Sequence, residues 1–545
     1  MRFLRLLPLL GLLAVLLIPA TASAAETGLN INGGAASGTP ENFAQLSDTG
    51  SKWARHFFYW DDGLMESYDD IVAQEDARGV KTVFVVAAAS RQAPADPQAY
   101  ADFIGRMAKR WKGRLEAIEI WNEQDESQFW IGGPNPAKYV DLLQRSYTAA
   151  KAADPNVKIV FGPTVGNNYG FLEQAYAAGA KGYFDVMASH TDTACLVNSP
   201  MDYYRDPAMG DRIGRFVFLG YRELRATMLA NGDDKPIWLT EIGWSAAQQT
   251  CDSGQWAGQK PAGVSEAQQA QFMREAYQCL AEDPYVQVAM WFNNRDLFND
   301  GKMNNMYGLL RFDGSRRPAY DTFKQISQSG PGLSGPCGDF AVPSVQILSP
   351  TAGTVVGTGE PLPLKVTTSD KDVLRIMLEV KGRTKIRSFT RSGQPLASGT
   401  ALNLTWQGAK RLPFGTHTIV ATAIDAQGNK GTSQVTFRKV NPAKMKAQAT
   451  RFPQLRLLGK GRKRTLTGQV KTKLPFTISG KVKVEWQNKR GGKWKKIHGA
   501  VYNAGKPFKF KQTLRYKGRW RVRVKYTGKR PFKSSTSKWI TFKVR

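Results

Sequence analysis

Ile118-Glu119-Ile120-Trp121-Asn122-Glu123 and, much further on, Trp238-Leu239-Thr240-Glu241-Ile242-Gly243-Trp244-Ser245 each carry an apolar run into a glutamate. Short apolar runs of this kind read as strands buried on both faces, the pattern of a parallel sheet. A glutamate where such a strand stops stands at the sheet's C-terminal edge. Two of them supply what cleavage of a glycosidic bond needs. One carboxylic acid protonates the departing oxygen, and a second carboxylate stabilises or captures the oxocarbenium-like carbon.

Outward from these runs, eight segments qualify as parallel strands: Gly28 to Asn32, Trp53 to Tyr59, Thr82 to Ala88, Leu115 to Trp121, Lys158 to Gly162, Phe184 to Ser189, Pro236 to Glu241 and Gln287 to Phe292. Amphipathic stretches separate most pairs. In Pro97 to Lys112, Tyr100, Phe103, Ile104, Met107 and Trp111 recur at helical spacing, as do Tyr139, Leu142, Leu143 and Tyr147 in Pro136 to Ala152. This alternation predicts an α/β fold, a (β/α)8 TIM barrel over residues 25–334, with its chemistry at the C-terminal strand ends. Glu123 and Glu241 occupy those ends on the fourth and seventh strands.

The two motifs resemble the strand-four and strand-seven signatures of glycoside hydrolase clan A, the barrel superfamily of cellulases, mannanases and β-xylosidases, with families 39 and 5 nearest. The resemblance covers residues 28–328 and closes with Tyr307-Gly308-Leu309-Leu310 and Arg317-Pro318-Ala319-Tyr320, similar to the clan's usual barrel exit. It implies a carbohydrate substrate, β-linked, and a retaining double displacement with Glu123 as general acid/base and Glu241 as nucleophile. By the same analogy Asn122 bonds the sugar's 2-hydroxyl, the alternative being a strand-end cap. The resemblance also implies that Arg55 approaches the nucleophile and keeps it ionised, a purely structural ion pair being the alternative. Strand parity also turns Glu119 into the barrel, where Arg55 is its natural ion partner. His190, closing Asp185 to His190, matches a histidine that lines many clan sites, a structural histidine being the alternative. Trp291 resembles the aromatic platform on which a sugar stacks, with a plain core tryptophan as the alternative, and Trp60 and Trp244 are further candidates.

Two positions depart from the clan pattern. Gln124 stands where a proline usually follows the acid/base glutamate, and Thr191-Asp192 replace a frequent tyrosine-containing continuation, which leaves the nucleophile's hydrogen-bond partner open. A non-catalytic envelope- or polysaccharide-binding protein on a degenerate barrel is the competing reading. No cofactor is expected. Without CxxC spacing or clustered histidines, no metal site is expected either.

Arg2 and Arg5, the apolar run Leu6 to Ile18 and Ala22-Ser23-Ala24 read as a signal peptide over residues 1–24, so the mature protein starts at Ala25 and is exported. The four cysteines suit an oxidising compartment, and the favoured pairs are Cys195 with Cys251 and Cys279 with Cys337.

A Gly/Pro/Ser-rich connector at 335–342 ends the barrel pattern. Short alternating strands over 343–440 resemble the bacterial immunoglobulin-like modules appended to secreted hydrolases, Gly415 to Asp425 carrying the clearest strand signature. Residues 441–545 predict a second all-β sandwich of very different charge. They hold 32 of the chain's 76 Lys and Arg but one of its 45 acidic residues, Glu485, and so carry the whole formal net charge of +31. In Lys481-Val482-Lys483-Val484-Glu485-Trp486 and Arg519-Trp520-Arg521-Val522-Arg523-Val524-Lys525-Tyr526, cations and apolar residues alternate with period two, burying one face and studding the other with charge. Such a face attracts polyanions: anionic cell-envelope polymer, acidic polysaccharide or extracellular DNA. The expectation is a monomer retained at the cell surface through this module; a merely solvated strand face is the alternative.

Overall fold

The computed structural model describes residues 25–191, 199–251, 258, 262–333, 335–390, 394–474, 476 and 478–545. The expected leader and Cys195 lie outside them. Two compact units divide between Phe340 and Ala341, and no helix among the described residues is long and apolar enough to cross a membrane.

The first unit is a closed barrel of eight parallel strands: β1 (Glu26–Asn30), β2 (Trp53–Tyr59), β3 (Lys81–Ala87), β4 (Leu115–Ile120), β5 (Lys158–Val165), β6 (Val186–His190), β7 (Ile237–Ile242) and β8 (Val286–Trp291). Each strand pairs with its sequence neighbours, and β1 closes the ring against β8. The surrounding helices start where the local chemistry demands. Asp96 caps Pro97–Arg110 by accepting from the Gln98 and Ala99 amides, and Asn135 caps Pro136–Ala153 through the Lys138 amide. In both, proline takes the first helical position, where its missing N–H costs nothing. Ser265 and Gln268 form a reciprocal capping box at the start of Glu266–Glu282. The stripe Tyr100, Phe103, Ile104 and Met107 is fully buried against the sheet.

The barrel interior is layered. Trp53, Val83, Ala117, Val160, Val186, Ala188, Trp238, Val288 and Met290 form an apolar plug. Gly28 belongs beside it, since a Cβ there would stand 2.7 Å from Met290 Cγ. Two residues above Trp53 and Ala117 on the same strand faces come Arg55 and Glu119. The inner lining thus switches from hydrocarbon to charge on approaching the C-terminal end.

The segment 335–340, expected as connector, is tied to this unit. The Cys279–Cys337 disulfide is present, with Cα atoms 5.0 Å apart, the Tyr203 hydroxyl donates to the Asp339 carbonyl at 2.5 Å, and Phe340 stacks on Tyr203.

The second unit contains two sandwiches. In the first, a three-stranded sheet (Gln346–Ser349, Leu362–Thr367, Leu402–Trp406) and a five-stranded sheet with Gly415–Ile424 at its centre enclose Leu364, Ile376, Ile419 and Phe437. In the second, Lys493–Asn503, Gly480–Arg490 and Gly518–Gly528 run side by side over a core of Trp486, Trp520, Val522 and Val524. Cross-strand register puts Lys483 beside Lys525, Glu485 beside Arg523 and Gln487 beside Arg521 on the opposite face. There the lone acid Glu485 accepts from Arg523 at 2.8 Å, and the Arg521 guanidinium lies 4.4 Å from the Trp494 ring centroid and 4.2 Å from that of Trp539.

Candidate active site

Arg55 is the hub of the charged layer. It is 3% exposed, and its guanidinium donates to Glu119 Oε2 at 2.9 Å, Glu241 Oε1 at 2.6 Å, Asn30 Oδ1 at 2.7 Å and Asn122 Oδ1 at 3.1 Å. Strand parity brings Arg55 and Glu119 together, and the ends of β1, β4 and β7 deliver the other three. A buried cation with two carboxylates and two amide oxygens leaves little of its donor fork unsatisfied.

His190, at the end of β6, joins the two glutamates. Its Nδ1 lies 2.7 Å from Glu123 Oε1 and its Nε2 3.4 Å from Glu241 Oε1. One carboxylate oxygen from each glutamate and one ring nitrogen all fall within 4.8 Å of one another. Those three atoms are also the set that could hold a metal ion among the described residues, but Arg55 already places a positive charge 2.6 Å from the Glu241 oxygen. A second cation there would be repelled.

Burial sets the protonation states. Glu123 is pushed up to about 8, first by burial and then by the nearby Asp125 carboxylate, with Arg55 opposing. His190 is pushed down to about 4, mainly by burial. Near neutral pH, Glu123 therefore carries a proton and His190 does not, so the Glu123 hydroxyl donates to Nδ1 and the Nε2–H faces Glu241. The Glu241 carboxyl is also raised by burial, against the pull of His190 and Arg55. The simple expectation that Arg55 sets the nucleophile's ionisation omitted this desolvation, which is the larger influence.

The loop carrying Glu123 is held from behind. Trp121 and Glu123 have φ of 71° and 53°, left-handed values that cost a non-glycine residue on the order of 1–3 kcal/mol and need external support. Support comes from β5. The Glu123 amide donates to the Pro163 carbonyl at 3.1 Å, and Gln124, fully buried, donates to the Gly162 carbonyl at 2.7 Å. A Cβ on Gly162 would sit 2.3 Å from the Ile120 carbonyl oxygen, so glycine permits this approach. Asp125 accepts from the Val165 amide at 3.0 Å and from Asn168 at 2.7 Å. Gln124 thus makes a strut where the clan pattern has proline.

Residues 223–320 match the family model described as glycosyl hydrolase catalytic core, and residues 343–421 match that of a bacterial Ig domain. Part of the barrel thus carries the signature of a glycosyl hydrolase catalytic core. No curated protein matches it. Among solved structures, a Parabacteroides merdae β-glucuronidase is similar at 12% identity and a TM-score of 0.38, over 95% of this chain and 63% of that one. This chain thus spans less than two thirds of that enzyme. A glucosidase from Croceicoccus marinus is 12% identical with a TM-score of 0.43, over 90% of this chain and 93% of that one. A family 39 β-xylosidase from Caulobacter crescentus is 16% identical with a TM-score of 0.41, over 85% and 82%. At these identities and scores the neighbours say nothing about what this hydrolase core cuts.

The aromatic candidates are placed differently from the acids. Trp291 is fully buried and its indole N–H donates to the Tyr307 carbonyl at 3.0 Å; Trp244 is 3% exposed and packs on Phe272 and Trp291. Both are core residues here, with no ring face open to a sugar. Trp60 is half-buried, edge-on to Tyr100. The open aromatic rings are Phe57, Tyr59 and Phe129, which with Asn122 and Arg91 line a cavity of about 150 Å³. Sequence reasoning did not single these out, nor Asn30 and Asp125. For Asn30 the signal was available, as a polar residue ending an apolar strand. Cys251 is described, but its expected partner Cys195 is not.

Proposed function

We propose that the protein is an exported retaining glycoside hydrolase acting on β-linked O-glycosidic bonds of a polysaccharide or oligosaccharide, with Glu123 as acid/base and Glu241 as nucleophile. The observation that carries this reading is the approach of their carboxylate oxygens to within 4.8 Å. Retaining enzymes hold the pair about 5–5.5 Å apart, whereas inverting ones leave about 6.5–9.5 Å for a water.

The protonation states suit the first step. Glu123, holding its proton up to about pH 8, delivers it to the glycosidic oxygen as that bond breaks. Arg55 and His190 both address Oε1 of Glu241, so Oε2 is the oxygen left to attack the anomeric carbon. Bond formation there gives a glycosyl ester. Glu123, now ionised, takes a proton from water, whose oxygen attacks the same carbon and releases Glu241. Asn122, its amide oxygen fixed by Arg55, is positioned to bond a sugar hydroxyl, where interactions that tighten in the transition state count most.

Export is supported by the leader-like first 24 residues, and surface retention by the basic second sandwich. Its open face, with Lys481, Lys483, Arg519 and Lys525 exposed and Arg521 between two indoles, suits an acidic glycan or envelope polymer. The test is hydrolysis of aryl β-glycosides and polysaccharides by the wild type and Glu241→Ala. Turnover by the wild type alone is expected. Equal turnover by both, or none by either, would favour a binding protein instead.

A further inference from the structure

We propose that Arg91 forms a subsite for a sugar bearing a carboxylate, next to the bond that is cut. The inference rests on the glycosidase reading for its location but not for its test. Arg91 follows the end of β3 and lines the cavity of about 150 Å³ shared with Phe57, Tyr59, Phe129 and Asn122, a space on the scale of a single monosaccharide. Asn122, which lines this cavity, directly precedes Glu123 and is bonded to Arg55, which joins the cavity to the two candidate acids.

Three observations single out Arg91. Its side chain makes no hydrogen bond or ion pair among the described residues, while the nearby arginines Arg55 and Arg215 are both engaged by carboxylates. Its guanidinium lies 4.9 Å from the Phe129 ring centroid, a contact that restrains it without using its donors. Its backbone is pinned at a left-handed φ of 57°, with the carbonyl accepting from the Ile131 amide at 2.9 Å, so the β3 loop is stitched to the loop after β4. A neutral sugar needs rings and amides, which Phe57, Tyr59 and Asn122 supply. A spare guanidinium fork fits a carboxylate, which it can grip with two parallel bonds. The rest of the barrel makes this stand out: residues 25–340 carry 39 acidic and 29 basic side chains, so an acidic glycan finds general repulsion there and needs a local cation.

The test is calorimetric titration of the full chain with a glucuronate trisaccharide and with its carboxyl-reduced counterpart. The basic second sandwich contributes equally in wild type and variant, so their difference isolates the barrel site. Arg91→Ala is expected to weaken one class of uronate sites about tenfold or more, leave the reduced trisaccharide unchanged, and keep the melting temperature, since Arg91 is exposed. Arg91→Lys should restore part of the affinity. Equal loss for both sugars, loss for neither, or selective loss only for a sulfated trisaccharide would overturn the proposal. None of these readouts needs turnover, so a failed hydrolysis assay leaves this result standing.

Discussion

The upper layer of the barrel and the open face of the last sandwich are both built from charged side chains on strands, yet they use charge in opposite ways. In the barrel, Arg55, Glu119, Glu123, His190 and Glu241 are all at least four-fifths buried and each is bonded to another. Away from water each charge is felt strongly by its neighbours, and proton affinities move far enough for Glu123 to hold a proton near neutral pH. On the last sandwich, Lys481, Lys483, Arg519 and Lys525 stand in solvent. There single charges are screened within a Debye length and act only in number. Few charges inside suit chemistry; many outside suit adhesion.

The sharpest way to break this comparison is inside the barrel. Glu241→Ala is expected to lower kcat/KM on the order of 10³-fold or more, measured on whichever glycoside the wild type cleaves. Arg55→Ala should be the most destabilising of these changes, by about 3–5 kcal/mol in urea titration, because it leaves Glu119 and Glu241 buried without their cation. Glu123→Gln should cost about 10²–10⁴-fold on substrates with poor leaving groups, and much less where the leaving group needs no proton. Its protonation also fixes a pH limb. The acid form is active, so kcat/KM should fall as pH rises through about 8. The low-pH limb should lie above the ordinary glutamate value of 4.5, because burial raises Glu241, which must be ionised to attack.

The smallest effect belongs to the outer face. Retention of the full chain on an acidic polysaccharide should weaken at least about tenfold between 50 and 200 mM salt. Barrel catalysis on a neutral glycoside should barely change over that range. If salt affects both alike, the division between buried and exposed charge fails.

Much of this division was legible in the amino-acid sequence. The strand runs were bounded to within a few residues, because strands buried on both faces carry few polar positions to blur them. Glu123, Glu241 and His190 were readable as candidates because polar residues at the ends of apolar strands have few other reasons to be there, and Arg55 because an inward-facing Glu119 needs a cation beside it. The tryptophans were not. Trp244 and Trp291 follow the same strands, but an indole serves a core as well as a sugar site, and only packing tells the two apart. Arg91, Tyr59 and Phe129 sit in or beside the loops after β3, β2 and β4. Their convergence depends on loop paths that no periodicity encodes. Gln124 was seen as a departure, and its role as a strut needed the Gly162 carbonyl opposite it.

The measurement closest to the central claim is the anomeric configuration of the first sugar released, followed by proton NMR before mutarotation equalises the anomers. With Glu123 and Glu241 facing each other across one bond through a glycosyl ester, the product keeps the configuration of the substrate. An inverted product would mean that a water attacks directly and that these two side chains do not share the bond as described.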